Sequence, residues 1–160
     1  PGAEHQEGRS ILQGMGGAAL YVSAQPPEQA LALADFTDAR IIAGIAEIVP
    51  ATSDQFLPQM LGMPAIEALS FHKGCFVGQE GIARLHYKGA NHRLLAYGEA
   101  CVSAAPGDAL YAEDVRAGVV LTAGARYIQA VVQDRYLNTP LALHSHLIHF
   151  HSMESPDGKA

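Results

Sequence analysis

From His92 onward the chain is written in short apolar runs cut by turn residues: HRLLAYGEACV, DALYAEDV, AGVVLTAG, RYIQAVVQDRY and LALHSHLIHFH, with Gly, Asp, Asn and Pro between them. Runs this short, rich in Val, Ile, Leu and Tyr and closely spaced, read as strands. Five successive strands with brief connections leave room only for antiparallel pairing, so residues 91–152 are expected to form a small antiparallel β-barrel or sandwich, followed by a tail at 153–160. The first 90 residues have a different texture, mixing helical and strand-like stretches. The fold class expected is α+β, a mixed α/β part over 1–90 joined to an all-β part near Lys88 to Asn91.

Within the first part, PGAEHQEG is polar and reads as loose, and SILQGMGGAALYVSA reads as two short strands about a glycine turn. The GMGG cluster fits neither the dinucleotide fingerprint nor the phosphate loop, and no Lys-Ser/Thr pair follows it. PPEQALALADF places prolines where a helix accepts them and continues with good helix formers. Thr37 can cap a second helix over DARIIAGIAEI, in which Ile41, Ile42, Ile45 and Ile48 recur at near-helical spacing. VPATSDQFLPQM, with proline near both ends, reads as an irregular connection.

The balance of charge narrows the function. The 160 residues carry a formal net charge of −6, which argues against a broad phosphate-binding surface and leaves only local contact with RNA. The longest apolar run, IIAGIAEIVPA, is broken by Glu47 and Pro50 and falls short of a membrane span. No basic-then-apolar leader opens the chain, so the expected compartment is the bacterial cytoplasm, or the mitochondrial matrix in a eukaryote. Cys75 and Cys101, the 2 cysteines, are too few for a disulfide scaffold and are expected to be reduced. A proline at position 1 in place of methionine reads as a processed chain or a piece of a longer one.

The densest chemistry lies in SFHKGCFVGQEGIARLHYKGANHR, residues 70 to 93. Gly74 and Gly78 permit backbone angles closed to other residues, so a tight loop is expected to present Cys75, with a short helix beginning in GQEGIARLH. A thiol ahead of a helix N-terminus, with Lys73 two residues away, sits where a cysteine's pKa falls and thiolate is populated. The bland alternative is a small buried hydrophobe. Glu80 and Arg84 have the spacing and order of a favourable helix ion pair; alternatively Gln79 and Glu80 line a pocket and grip the donor and acceptor edge of a heterocycle. Lys88, His92 and Arg93 continue the positive charge and can hold a carboxylate or phosphate, or remain plain surface cations.

His144, His146, His149 and His151 invite a metal, but in one strand the first two face opposite to the last two and cannot converge without a turn or bulge between them. No metal site is expected. No GxSxG elbow supports a serine hydrolase.

KGCFVGQE resembles the signature K-G-C-[FY]-x-G-Q-E of the YgfZ family, folate-binding proteins related to the glycine-cleavage T-protein (GcvT, an aminomethyltransferase). The resemblance continues upstream in ARIIAGIAEI and DQFLPQMLGMPAIEALSFHKGC, and downstream in GIARLHYKGANHRLL and GDALYAEDVRAGVVLTAG, covering about residues 30 to 150. It implies that residues 1–90 are the latter part of a GcvT-like folate-binding domain and that 91–152 are the family's small barrel. Cys75 matches the signature cysteine, with Lys73 beside it in the working pair, Gly74 and Gly78 shaping the loop, and Gln79, Glu80, Arg84, Lys88 and Arg93 falling where cofactor contacts are expected. The implied cofactor is tetrahydrofolate, and the implied partners are iron–sulfur proteins or cluster-assembly factors, including those serving tRNA-modifying enzymes. That makes an accessory protein the leading expectation over a catalyst. The alternatives are a folate-dependent aminomethyltransferase of the glycine-cleavage type and a non-catalytic interaction module. Lys88 stands where the family has arginine, which removes a planar bidentate fork; His92 replaces a lysine and Ala46 a proline. The family's N-terminal half has no counterpart here, so the chain is expected to be the C-terminal half of the usual length, with an incomplete folate site.

Overall fold

The computed structural model describes residues 33–74, 77–89, 91–100 and 102–153, together with the strand backbones at 3–6, 9–13 and 19–22. The first three strands, β1 (Ala3–Gln6), β2 (Arg9–Gln13) and β3 (Ala19–Val22), form an antiparallel sheet in the order β1-β2-β3. The two strands expected about the glycine turn are β2 and β3, paired from Ser10↔Val22 to Gln13↔Ala19. The polar opening is not loose: Ala3–Gln6 pairs with β2 in register Ala3↔Leu12 to Gln6↔Arg9. Two residues separate these strands, the spacing of a hairpin, and that spacing outweighs the polarity of the segment.

Among the described residues one helix, α1 (Leu33–Ile42), runs through the end of the first expected helix and the start of the second; residues 26–32 of the first lie outside the described residues. Thr37 lies in its middle, not at a cap. The helix stops because Gly44 adopts a left-handed backbone, φ +70°, with Gly44 N–H donating to Ile41 O and Ile45 N–H to Arg40 O. That pair of bonds is a Schellman cap, and it diverts Ile45 and Ile48 from the helical path that their spacing suggests.

Residues 93–152 form a seven-stranded antiparallel sheet: β4 (Arg93–Glu99), β5 (Ala109–Ala112), β6 (Val115–Ala123), β7 (Tyr127–Gln133), β8 (Leu141–Leu143), β9 (His146–Ile148) and β10 (Phe150–Ser152), ordered β10-β4-β7-β6-β5-β8-β9. The run LALHSHLIHFH is therefore three strands. His144, at φ +53°, turns β8 into β9, and His149 alone links β9 to β10. Since β9 and β10 are the two edges of the sheet, a one-residue link forces the edges together and curls the sheet into a nearly closed barrel. Gly98 of β4 is where the corner lands: an added Cβ would lie 2.6 Å from Ile148 Cγ2 and 2.9 Å from the His149 carbonyl oxygen.

Strand β7 is buried almost throughout, because both of its faces are covered. Ile128, Ala130 and Val132 point into the barrel with Ala96, Leu110, Val120, Leu141 and Phe150. Val131 faces outward with Leu95 and Leu121, under Leu61, Phe56 and Met60 of the segment that follows α1. Prolines start the two 3-10 turns of that segment, Pro50–Thr52 and Pro58–Leu61, so the expected irregular connection is a folded cover for the sheet.

The buried carboxylate of Asp38 ties α1 to the barrel. Its oxygens accept from the backbone N–H of Arg126 at 3.1 and 3.3 Å and of Tyr127 at 3.3 Å, at the turn between β6 and β7. Beside it, buried Gln129 reaches the Ile41 carbonyl from β7 at 3.5 Å.

Candidate functional site

The site starts from a glycine. Gly78, at φ +86°, is the N-cap of α2 (Gln79–Lys88), the short helix expected from GQEGIARLH. No residue of α2 is buried. Its hold on the body comes from Gln59, whose Nε2 donates to the Ile82 carbonyl oxygen at 2.6 Å. The Gln59 carbonyl in turn accepts from Asn91 Nδ2 at 3.3 Å, and Asn91 Oδ1 accepts from the Arg93 N–H at 3.3 Å. This relay fixes α2 relative to the cover and to β4.

A second anchor is aromatic. Phe71 stacks on His86 with ring centres 3.6 Å apart and 8° between planes, and Tyr87 meets both rings edge-on. Phe71 thus lies at the last turn of α2 and Gly78 at its first, ends of the helix roughly 10 Å apart at 1.5 Å per residue. Lys73 and Gly74 are exposed. Cys75, the central sequence expectation, lies outside the described residues, as does Cys101.

On α2, Gln79, Ala83 and Tyr87 form one stripe and Glu80, Arg84 and Lys88 the next, and the two together line an open groove. Four of the expected cofactor residues, Gln79, Glu80, Arg84 and Lys88, are therefore brought together. Ala83 and Tyr87 were missed, although steps of four from Gln79 would have found them. Among the described residues Glu80 and Arg84 form no ion pair, despite their favourable spacing, and Lys88 forms none either. Arg93, the fifth expected residue, is placed elsewhere: it lines a separate cleft on the sheet, with Arg116 and Gln133.

Near that cleft His92 Nδ1 lies 3.0 Å from Asp134 Oδ2, and the Asp134 carboxyl is held below the usual carboxylate range, chiefly by the hydrogen bond from His92 and then by the Arg135 backbone N–H. The four late histidines are dispersed. His144 lies 3.7 Å from Asp108, and His151 packs by Tyr97. Among the described residues no group of three or more His, Cys, Asp or Glu is placed to hold a metal. No described helix is long and apolar enough to cross a membrane.

These features define an α+β protein in which a nearly closed antiparallel barrel carries an outlying polar helix entered through a glycine loop. No family model matches the chain. Among curated proteins it is 40% identical over 105 residues to the tRNA-modifying protein YgfZ of Sodalis glossinidius, covering 59% of this chain and 32% of the relative. The YgfZ of Hamiltonella defensa is 36% identical over 138 residues, 79% of this chain and 38% of the relative. An uncharacterised protein of Haemophilus influenzae is 42% identical over 93 residues, 58% of this chain and 31% of that protein. The chain is a homologue of the YgfZ proteins over the stretch they share, and it spans about a third of the length of the curated relatives it matches.

Proposed function

We propose that this chain works as a YgfZ-type tetrahydrofolate-binding accessory protein for iron–sulfur cluster assembly or repair, with Cys75 as its working thiol and α2 as one wall of the folate site, in the manner of a GcvT-like domain. The observation that carries this reading is the α2 groove, where an amide, a carboxylate, a phenol ring, a guanidinium and an ammonium share one open helix face. That donor set suits folate in kind. Gln79 and Glu80 can grip the donor and acceptor edge of a pterin, Tyr87 offers a ring face, and Arg84 and Lys88 suit the carboxylates of a glutamate tail. Bound tetrahydrofolate would supply one-carbon carriage. In the sequence Cys75 follows Lys73 and precedes the start of α2 by a few residues, a setting that favours thiolate. A thiolate there can ligate iron transiently alongside a partner's ligands, while one cysteine is too few to hold a cluster by itself. The partners proposed are iron–sulfur proteins or cluster-assembly factors, including those that serve tRNA-modifying enzymes, a choice supported by relatives that carry the name tRNA-modifying protein.

The test is the pH dependence of Cys75 alkylation in a Cys101→Ser background, with and without tetrahydrofolate. A thiol pKa at least about one unit below the ordinary value near 8.5, with protection by tetrahydrofolate, is the expected result. An ordinary pKa without protection would refute it.

A further inference from the structure

A second concavity lies on the sheet, away from α2, where β4, β7 and β6 run side by side. Register assembles it. Arg93 of β4 is paired with Gln133 of β7, and Val131 of β7 with Val119 of β6, so residues from three strands meet at one end of the sheet. Val119, Val131 and Phe56 make an apolar floor, and Arg93 and Arg116 stand at its rim.

Gln133 organises that rim. Its Nε2 donates to the Arg116 carbonyl oxygen at 2.9 Å, and its Oε1 accepts from Arg135 Nη2 at 2.8 Å. The brace locks β6 to β7 and draws a third guanidinium close, over the Tyr136 ring at 4.8 Å from its centre. None of the three arginines forms an ion pair with a described carboxylate. Asp134, next to Arg135 in sequence, is engaged by His92 and by the Arg135 backbone N–H, and its charge acts on Arg135, which leaves Arg93 and Arg116 as the unpaired cations of the cleft. Two of the protein's 10 Lys and Arg residues, Arg93 and Arg116, thus line one cleft without a described ion-pair partner in a chain of net charge −6. Like charges brought together repel unless an anion joins them, and guanidinium forks match the oxygens of a phosphate two at a time.

We propose that this cleft binds a phosphate group, held between Arg93 and Arg116, with the attached body lying on the floor of Phe56, Val119 and Val131. The apolar floor beneath a cationic rim favours a phosphate ester over bare inorganic phosphate. The group can come from a small phosphorylated molecule or from an RNA terminus or backbone, and the chemistry of capture is the same. The assignment draws nothing from the folate reading, so failure of either leaves the other standing.

Phenyl phosphate is the probe, followed on the full chain by backbone amide NMR. It is expected to produce saturable shifts at Arg116–Val119 and Val131–Gln133, which benzyl alcohol does not reproduce. Arg93→Gln and Arg116→Gln should each weaken binding about tenfold, the loss of one charge-assisted contact, while the amide spectrum stays dispersed. Arg116→Lys, which keeps the charge and loses the fork, should fall between. A 5′-phosphorylated oligonucleotide that displaces the probe would make RNA the source, and one that does not would make it a small molecule; both support a phosphate in the cleft. Absence of saturable shifts at millimolar phenyl phosphate, or equal affinity in Arg116→Gln, would overturn the proposal.

Discussion

Gly124 and Asp38 are predicted to be coupled, and the coupling measures how α1 is fastened to the barrel. A Cβ added at Gly124 would collide with Asp38 Oδ1 and lie 2.9 Å from its Cγ, while the next contact, Asp38 N at 3.3 Å, is only tight. Gly124→Ala should therefore cost about 1–3 kcal/mol, the usual range for overpacking a well-filled site. Asp38→Ala removes the acceptor shared by the Arg126 and Tyr127 N–H groups. It should cost roughly 2–3 kcal/mol, since hydrogen bonds to a charged acceptor are lost and the donors beneath α1 are left unpaired. In the double variant the obstructing carboxylate is gone. Alanine then also narrows the unfolded ensemble, so adding Gly124→Ala to Asp38→Ala should fall within about 0.5 kcal/mol of neutral. The interaction energy expected is thus about 1–3 kcal/mol. Urea unfolding of the four proteins, read as midpoint shifts at constant m, gives the number. Additivity within about 0.5 kcal/mol would show that α1 is not seated on the β6–β7 turn through this carboxylate.

Two further outcomes follow from the same geometry. Gly98→Ala must push Ile148 and the His149 carbonyl away from β4, and it should cost about 1–3 kcal/mol and selectively raise amide exchange at Phe150–Ser152, while uniform exchange across the sheet would contradict a local corner. Asp134 has a lowered pKa in the folded state, so its pairing adds stability above the unfolded carboxylate pKa, and that contribution is lost as pH falls through the folded value. Both partners are exposed, at 74% and 41%, so the effect is small. Asp134→Asn should lose less thermal stability than the wild type between pH 5 and 3, and an equal loss would dissociate the pair from acid stability.

The strands were legible wherever local pattern decides. Three of the five expected runs contain β4, β5 and β7 whole, and a fourth, AGVVLTAG, covers β6 except for its first two residues, Val115 and Arg116. The fifth misled because a positive φ at His144 has no glycine to announce it, and because a one-residue corner at His149 leaves the apolar pattern nearly unbroken. α1 was misread for the opposite reason. Isoleucine spacing continues past Gly44, but the helix does not. At the candidate site, the helix start at Gly78 and the polar stripe on α2 could be read from spacing alone. The Arg116 and Gln133 cleft could not, because it is made by pairing Arg93 with Gln133, forty residues away, and register across strands leaves no mark within any one of them.

The link through His149 also sets an order of events. Strand β4 is made early and finds β7 on one side, but its other edge waits for Phe150–Ser152, which follow β9. Until those residues arrive during synthesis, β4 offers a row of unpaired backbone groups to any neighbouring chain. The clasp that closes the barrel is therefore also its last protection, and a nascent chain stalled before residue 150 has a sheet with an open seam where the finished protein has a corner.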